Sequence, residues 1–354
     1  MALQASGISD LLKTTLENVD RLKFTDITSS LQRYIAMSRL MKKKKVMFDA
    51  GTDFNFDLMT DDDGSARFVG LREQDIVNAT DVMIRGTIPW RHITWNWNIE
   101  RREVAMNRAP LKIVDMAMIR RMASFISAVK KFEARFWRTP GSGDDTNPYG
   151  VPYYVVKNAT EGFYGGLPSG QTTVAGIVPA STQVLNDDGT SRWANYTFQY
   201  VGITRDDLIR KMRRASEFVD FETPMPNMPT FNTGDDCAYY TTYAVRSAMV
   251  EILQGNNDNL GNELAKYEND VMFMNKPVEW VPQLDEDTTN PIYGLNWGEF
   301  GTAGLSGEWL HETVIPSMAG QHTVAVNFTD CTINWFTRNR RRHFVGATGT
   351  TMPA

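Results

Sequence analysis

Apolar residues recur at steps of three and four between 107 and 138: Leu111, Val114, Met118, Met122, Phe125, Val129, Phe132 and Phe136. That spacing lines one face of a helix. Pro110 suits its first position, and Thr139-Pro140-Gly141-Ser142-Gly143 cannot continue it. At 1.5 Å per residue such a helix reaches roughly 40 Å, longer than most globular helices. Ahead of it the period falls to two. Short β-type runs occupy Val46 to Phe48, Asp53 to Met59 and Ala66 to Leu71, and the last two flank Thr60-Asp61-Asp62-Asp63-Gly64-Ser65, a predicted hairpin turn. A longer β segment, Thr87 to Ile99, carries Trp90, Trp95 and Trp97; Trp95 and Trp97 share a face with Ile93 and Ile99. A β-excursion of this length buries little of itself and needs a neighbour to cover it.

Residues 1–45 read as helical. Ser9 precedes apolar positions 11, 12, 16, 19 and 22, and a second segment, from about Asp26 to Leu40, has them at 27, 31, 34, 35 and 37. After the long helix, 139–200 is rich in Gly, Pro and turn pairs, with short strands predicted at Tyr153 to Val156 and Tyr196 to Val201. A helix is predicted from Thr204 to about Phe221, with acids in its first turn. Thr223 to Pro229 breaks it, and Asp235 or Asp236 caps another through about Leu253. Residues 270–300 alternate strand and turn, and Thr323 to Phe328 and Thr332 to Val345 read as two strands. The fold class expected is α+β, without internal repeats.

The chain has 354 residues, 42% of them hydrophobic, so a large core in two or three lobes is available. A net charge of −5 argues against a regulator that grips DNA by its phosphates, though not against a wall that encloses nucleic acid. The segment 1–45 departs from that balance: nine Lys and Arg against four Asp and Glu give +5, either a solvated helix end or an arm lying on a partner or near nucleic acid. Two cysteines, Cys237 and Cys331, read as small buried residues, a bridge between them staying open. No signal peptide and no membrane-spanning apolar run is visible.

Chemistry-bearing motifs are sparse. Gly165-x-x-x-x-Gly170-Gln171-Thr172 lacks the lysine that a phosphate loop needs. Asp61-Asp62-Asp63-Gly64 would place Arg72 where a calcium loop needs Glu. Asp285-Glu286-Asp287 and Asp235-Asp236 are candidate paired carboxylates but sit beside turns and helix starts, where acids serve as caps or solvated charge. His92, His311, His322 and His343 lie far apart. No catalytic, metal or cofactor residue is assigned. Arg338, Arg340, Arg341 and Arg342 cluster next to Trp335 and Phe336, either as a solvated strand end or as an intersubunit ion-pair or phosphate contact. Arg101-Arg102-Glu103 and Arg120-Arg121 carry the same two readings.

The order helical arm, β-excursion, long helix, mixed α/β body resembles the HK97-like major capsid proteins of tailed bacteriophages. Stretches similar to that family are Trp90-Arg91-His92-Ile93-Thr94, Arg102-Glu103-x-Ala105-Met106-Asn107, Gly150-Val151-Pro152-Tyr153-Tyr154, Asp206-Asp207-Leu208-Ile209, Asn257-x-Asn259-Leu260-Gly261, Pro291-Ile292-Tyr293-Gly294-Leu295-Asn296-Trp297, Gln321-His322 and Arg338-Asn339-Arg340-Arg341-Arg342. The resemblance spans about 25–346. It implies an N-terminal arm (1–45), an E-loop (46–106), a P-domain over 107–159 with its spine helix at 109–138, a mainly A-domain region (160–270), and a return through both domains (271–354). The function implied is self-assembly, as hexamers and pentamers, into an icosahedral head shell around double-stranded DNA held non-specifically on the inner face. Expected partners are a portal protein and, if used, a separate scaffolding protein and a cement or decoration protein, with assembly in the host bacterial cytoplasm into a virion. Intersubunit contacts are expected at Arg33, Lys42, Lys43, Phe54, Phe56, Phe68, Trp90, Trp95, Trp97, Arg101, Arg102, Glu103, Arg120, Arg121, Arg338, Arg340 and Arg341. Some relatives crosslink an E-loop lysine to a neighbour; residues 46–106 contain no lysine, so none is expected from the loop itself. An encapsulin-type nanocompartment shell is the near alternative, and a carbohydrate-active enzyme the distant one.

Overall fold

The computed structural model describes residues 34–42, 46–61, 66, 68–71, 82–106, 110–186, 188–220, 236–254, 271–316 and 322–349. The helix expected after Ser9 and the Pro-rich run 223–229 lie outside them, as do Arg33 and Lys43.

The long helix forms as its periodicity predicts, as α3 (Pro110–Phe136). It packs on a five-stranded sheet of β1 (Val46–Phe48), β4 (Arg91–Glu100), β11 (Phe300–Leu305), β12 (His311–Ile315) and β13 (Val324–Thr337). Strand β13 is the common member. One edge pairs with β4 from Val324↔Glu100 to Ile333↔Arg91; the other carries β12 and then β11 end to end. The two C-terminal strands expected from sequence therefore merge, up to Thr337, into one 14-residue strand. Asp330 and Cys331, which read as a break, stay extended because β4 pairs with both and β12 also pairs with Asp330. Trp95 from β4 meets Phe125 and Phe132 of α3 edge-on. A short helix α1 (Ile35–Lys42) lies on α3 near its end, and α2 (Arg101–Met106) leads out of β4.

A seven-stranded mixed sheet forms the rest of the body, in the order β5 (Gly162–Gly165), β6 (Asn195–Tyr200), β14 (Phe344–Thr348), β10 (Ile292–Asn296), β7 (Cys237–Thr241), β9 (Lys276–Trp280) and β8 (Met272–Phe273). Strand alternation splits its side chains between two cores. Ala238, Tyr240, Tyr293, Leu295 and Val345 join the main core around α3. Tyr239, Ile292, Phe344, Tyr196 and Phe198 join a second, with α5 (Arg210–Val219) and α6 (Tyr243–Gln254). Thr204 caps the entry to α5 by accepting from the Asp207 amide, as its helix-start signal implies.

Strands β2 (Asp53–Met59) and β3 (Met83–Pro89) make a separate two-stranded ribbon. This corrects the expected hairpin, in which Ala66 to Leu71 would have been the partner of β2. The register explains the choice. Phe56 lies opposite Gly86, and a Cβ on Gly86 would sit 2.5 Å from the Phe56 ring. Within the 46–106 excursion, β1 and β4 belong to the body sheet and only the ribbon extends. Two further expectations change. Tyr153 to Val156 is no strand: Val151–Tyr154 is a helical turn, α4, with Pro152 in its first turn. The segment after Asp236 begins as strand β7, paired with β10, before α6 starts at Tyr243. Cys237 and Cys331 are not joined by a disulfide.

Candidate functional site

Among the described residues, three apolar surfaces stand out as uncovered by their own chain. The first is the far end of the ribbon, where Met59 and Met83 pair across β2 and β3 and Phe68, Val69 and Leu71 follow, all exposed. The second is on α3. Its apolar face is continuous in sequence, and among its described side chains Met118 is 54% exposed and Met122 is 44% exposed. The third is β12, exposed at every position, where Val314 and Ile315 pair with Asn327 and Val326 of β13 on one side and no described strand pairs on the other. A free edge and bare apolar side chains are the features that proteins normally cover. Between ribbon and body runs an open cleft of ≈ 730 Å³ whose walls include Phe56, Leu58, Ile84, Ile177, Arg338 and Arg342.

Of the residues expected at intersubunit contacts, Phe68 is fully exposed and Arg101, Arg102 and Arg338 are exposed, Arg338 lying over the Phe336 ring. Lys42 ends α1. Others have partners within the chain. Phe54 and Trp90 are buried against Phe48, and Phe54 also meets Phe336; Phe56 packs near Trp193 and Phe336. Trp95 is buried under α3 and Trp97 half-buried. Glu103 is buried and takes a two-pronged contact from Arg120, at 2.7 and 3.1 Å, while Arg120 also donates to the Asn98 carbonyl. Arg121 pairs with Glu312 of β12.

The arginine cluster divides. Arg340 is fully buried; it donates to the carbonyls of Tyr154 (2.6 Å), Trp193 (2.7 Å), Gly165 (2.9 Å) and Gly166 (2.8 Å), and lies over the Trp193 ring. Burial lowers its pKa, and the guanidinium stays charged at neutral pH. Its acceptors come from three separate segments, so it braces α4, β5 and the chain entering β6, neither a solvated strand end nor a subunit contact. Gly165 is required here, since a Cβ would fall 2.0 Å from the Asn195 side-chain oxygen. Arg341 is half-buried over Phe163, and Arg342 is buried beside Glu299. Sequence reasoning missed Arg91, which is buried and donates to the carbonyls of Asp144, Asp145 and Asn147, tying the loop after α3 to β4. It also missed Glu133, a fully buried acid on α3.

The weaker chemical candidates have structural partners. Asp285 accepts from the Tyr243 amide and the Trp280 indole, Asp287 pairs with Lys157, and Asp236 with Arg39. Asp61 pairs with Arg192, while 62–64 lie outside the described residues. The Gly165–Thr172 loop turns carbonyls toward Arg340, not amides toward an anion. Among the described residues no three His, Cys, Asp or Glu side chains come together as a metal site, and no helix is long and apolar enough to cross a membrane.

No protein-family model matches the chain, and no curated protein matches it. Solved structures do. A chain of the Cyanophage A-1(L) capsid asymmetric unit superposes with a TM-score of 0.59 at 13% identity, covering 95% of this chain and 98% of that one. A chain from the capsid of a native GTA particle gives 0.56 at 11% identity, covering 93% and 94%. A Gordonia phage Cozz chain gives 0.55 at 8% identity, covering 99% and 95%. The chain thus has the HK97-like capsid fold over almost its whole length.

Proposed function

We propose that the chain is a major capsid protein of a tailed phage, a structural subunit that assembles through hexamers and pentamers into an icosahedral head shell around double-stranded DNA. The observation that carries this reading is the coverage: the likeness to capsid chains takes in almost all of this chain and of theirs. In this reading the ribbon β2–β3 with residues 60–82 is the E-loop, α3 the spine helix, and the sheet built on β13 the P-domain. The seven-stranded sheet with α5 and α6 is the A-domain. The chain is not an enzyme, and its acids and histidines serve the fold.

The uncovered surfaces support the reading. A ribbon that extends from the body and ends in Met59, Met83, Phe68 and Leu71 is stable in water only if another molecule covers that end. The exposed Met118 and Met122 on α3 and the edge strand β12 offer apolar area of the same kind. Many modest contacts of this sort suit a closed shell, where heterologous interfaces repeat around symmetry axes. Arg338, Arg101 and Arg102 remain as charged contacts at those seams. The surface buried between copies, not any single site, is what the protein does. A portal protein, and where used a scaffold and a cement protein, would meet the same shell during assembly in the host cytoplasm, and packaged DNA would lie against its inner wall without sequence contacts.

Negative-stain electron microscopy of the purified chain, alone and with a scaffolding protein, tests this. Closed shells tens of nanometres across are expected in at least one of the two samples. Discrete particles of one to six subunits in both would refute it.

A further inference from the structure

The contact between α1 and α3 is built around one buried acid. Glu133 on α3 is fully buried. One carboxylate oxygen accepts from the Ala36 amide and from the Trp137 indole, both at 3.1 Å; the other accepts from the Met37 amide at 2.9 Å. These amides open α1 and have no partner within their own helix, and a negative charge there also meets the positive end of the helix dipole. A second anchor lies a turn further along. Arg39 reaches Glu279 at 2.9 Å and Asp236 at 3.2 Å, and rests near the Tyr240 and Trp297 rings.

Beneath the helix the packing is incomplete. Ile35, Ala36 and Leu40 enter the main core, yet an apolar cavity of ≈ 70 Å³ remains between Met37, Leu40, Trp95, Phe125, Phe132 and Trp335. Two turns of helix do not stand alone in water. The docked position of α1 therefore rests on Glu133 and Arg39 as well as on the buried Ile35, Ala36 and Leu40.

We propose that α1 is a reversible latch that ties the N-terminal arm to α3, with Glu133 as its catch, opening and closing while the body of the subunit stays folded. Docking takes a carboxylate out of water. Burial raises the Glu133 pKa above its ordinary value, and the amide and indole donors offset this only in part. The docked state then binds a proton more readily than the open one. Closure is strongest below the ordinary carboxyl pKa and weakens as pH rises through the raised value. The other charged or titratable groups on the elements around this contact are Arg39 on α1, Lys130 one turn earlier on α3, and Asp236, Glu279 and Tyr240 on the β7 and β9 side. The latch is independent of shell assembly and is tested on the dissociated subunit.

Amide hydrogen exchange on the full chain reads the latch directly. In Glu133→Ala, the amides of 36–40 should exchange about tenfold faster while those of Ile292 and Tyr293 are unchanged, the signature of local opening. In the parent, protection of 36–40 should fall several-fold as pH rises above the ordinary carboxyl range, after correction for intrinsic rates, whereas Glu133→Gln, which keeps one acceptor oxygen and cannot ionise, should give a flat profile. Equal acceleration in both regions of Glu133→Ala would mean that Glu133 only supports the fold. A parent profile identical to that of Glu133→Gln would also overturn the proposal, and that comparison decides the matter if the alanine variant does not fold.

Discussion

Replacing Arg340 by alanine should be among the most damaging single changes in the chain. The side chain makes four bonds to carbonyls on three segments, three of them buried and that to Gly166 part-buried, and covers the Trp193 ring. Leaving a buried acceptor unpaired costs about 1–3 kcal/mol, so the three buried ones together cost at least about 3 kcal/mol before any packing loss. Set against a total stability of about 5–15 kcal/mol, that is enough to unfold the region around α4 and β5. Arg340→Lys keeps the charge, but its donors radiate from one atom and cannot span the three segments. Losing about half the bonds predicts a cost of about 2 kcal/mol. Urea titration of dissociated subunits, followed by tryptophan fluorescence, measures both. Arg338→Ala in the same cluster, exposed and free of buried acceptors, should shift stability by less than about 0.5 kcal/mol and should instead slow shell formation. If Arg340→Ala and Arg338→Ala unfold at the same urea concentration, the division of the cluster into an internal brace and an outer contact is wrong.

Other outcomes follow from the same geometry. Met59→Lys with Met83→Asp, an opposite-charge pair across β2 and β3, should leave subunit stability within about 0.5 kcal/mol of the parent yet abolish closed shells by electron microscopy; normal shells would remove the ribbon end from the interface. Trp90→Ala, by contrast, should cost about 3–5 kcal/mol in the isolated subunit, because its own chain covers it; a loss confined to assembly would restore the neighbour-covered reading. Burial of Asp287 acts to raise its pKa, but the bond and charge of Lys157 together with the Thr289 donors outweigh this and leave it depressed. Its stabilising contribution is therefore present above the ordinary aspartate pKa and lost as pH falls through the depressed value. Asp287→Asn should flatten that part of an acid titration followed by circular dichroism, and an unchanged curve would show that the pair is thermodynamically silent.

Sequence made the long helix legible because eight apolar residues repeat at one period and Pro140 with its glycines closes the run. It also made the order of parts legible. What it hid were choices settled by distant partners. Asp53 to Met59 pairs with Met83 to Pro89, and not with the nearer Ala66 to Leu71, because Gly86 makes room for Phe56, a match invisible to turn chemistry. Tyr153 to Val156 looks like a strand by composition, but Gly150 and Pro152 start a helical turn there. Within the run from Arg338 to Arg342 no local signal separates the arginine facing the carbonyls of 154, 165, 166 and 193 from the one facing water. The expected contacts followed the same rule: Trp90 and Trp95 were buried by their own chain, and the exposed apolar groups include Met59, Met83, Met118 and Met122 beside Phe68 and Leu71. The exposure of Met118 and Met122 had one faint cue, since the helix outlasts the core that a subunit of this size places beneath it. Glu133 had none, as a single acid among apolar positions on a helix is ordinary until its neighbours are known.

Strand β13 has a mechanical consequence. At about 3.4 Å per residue, its 14 residues span roughly 48 Å. A container filled under pressure puts its wall in tension. A pull along β13 cannot peel its ladders apart bond by bond. It must slide the strand past β4 on one side and past β12 and β11 on the other, loading every rung together in shear. A wall panel built around such a tie-rod is stiff along that axis and should yield first at its seams, so bursting pressure would be set by the contacts between panels and not by the panels themselves.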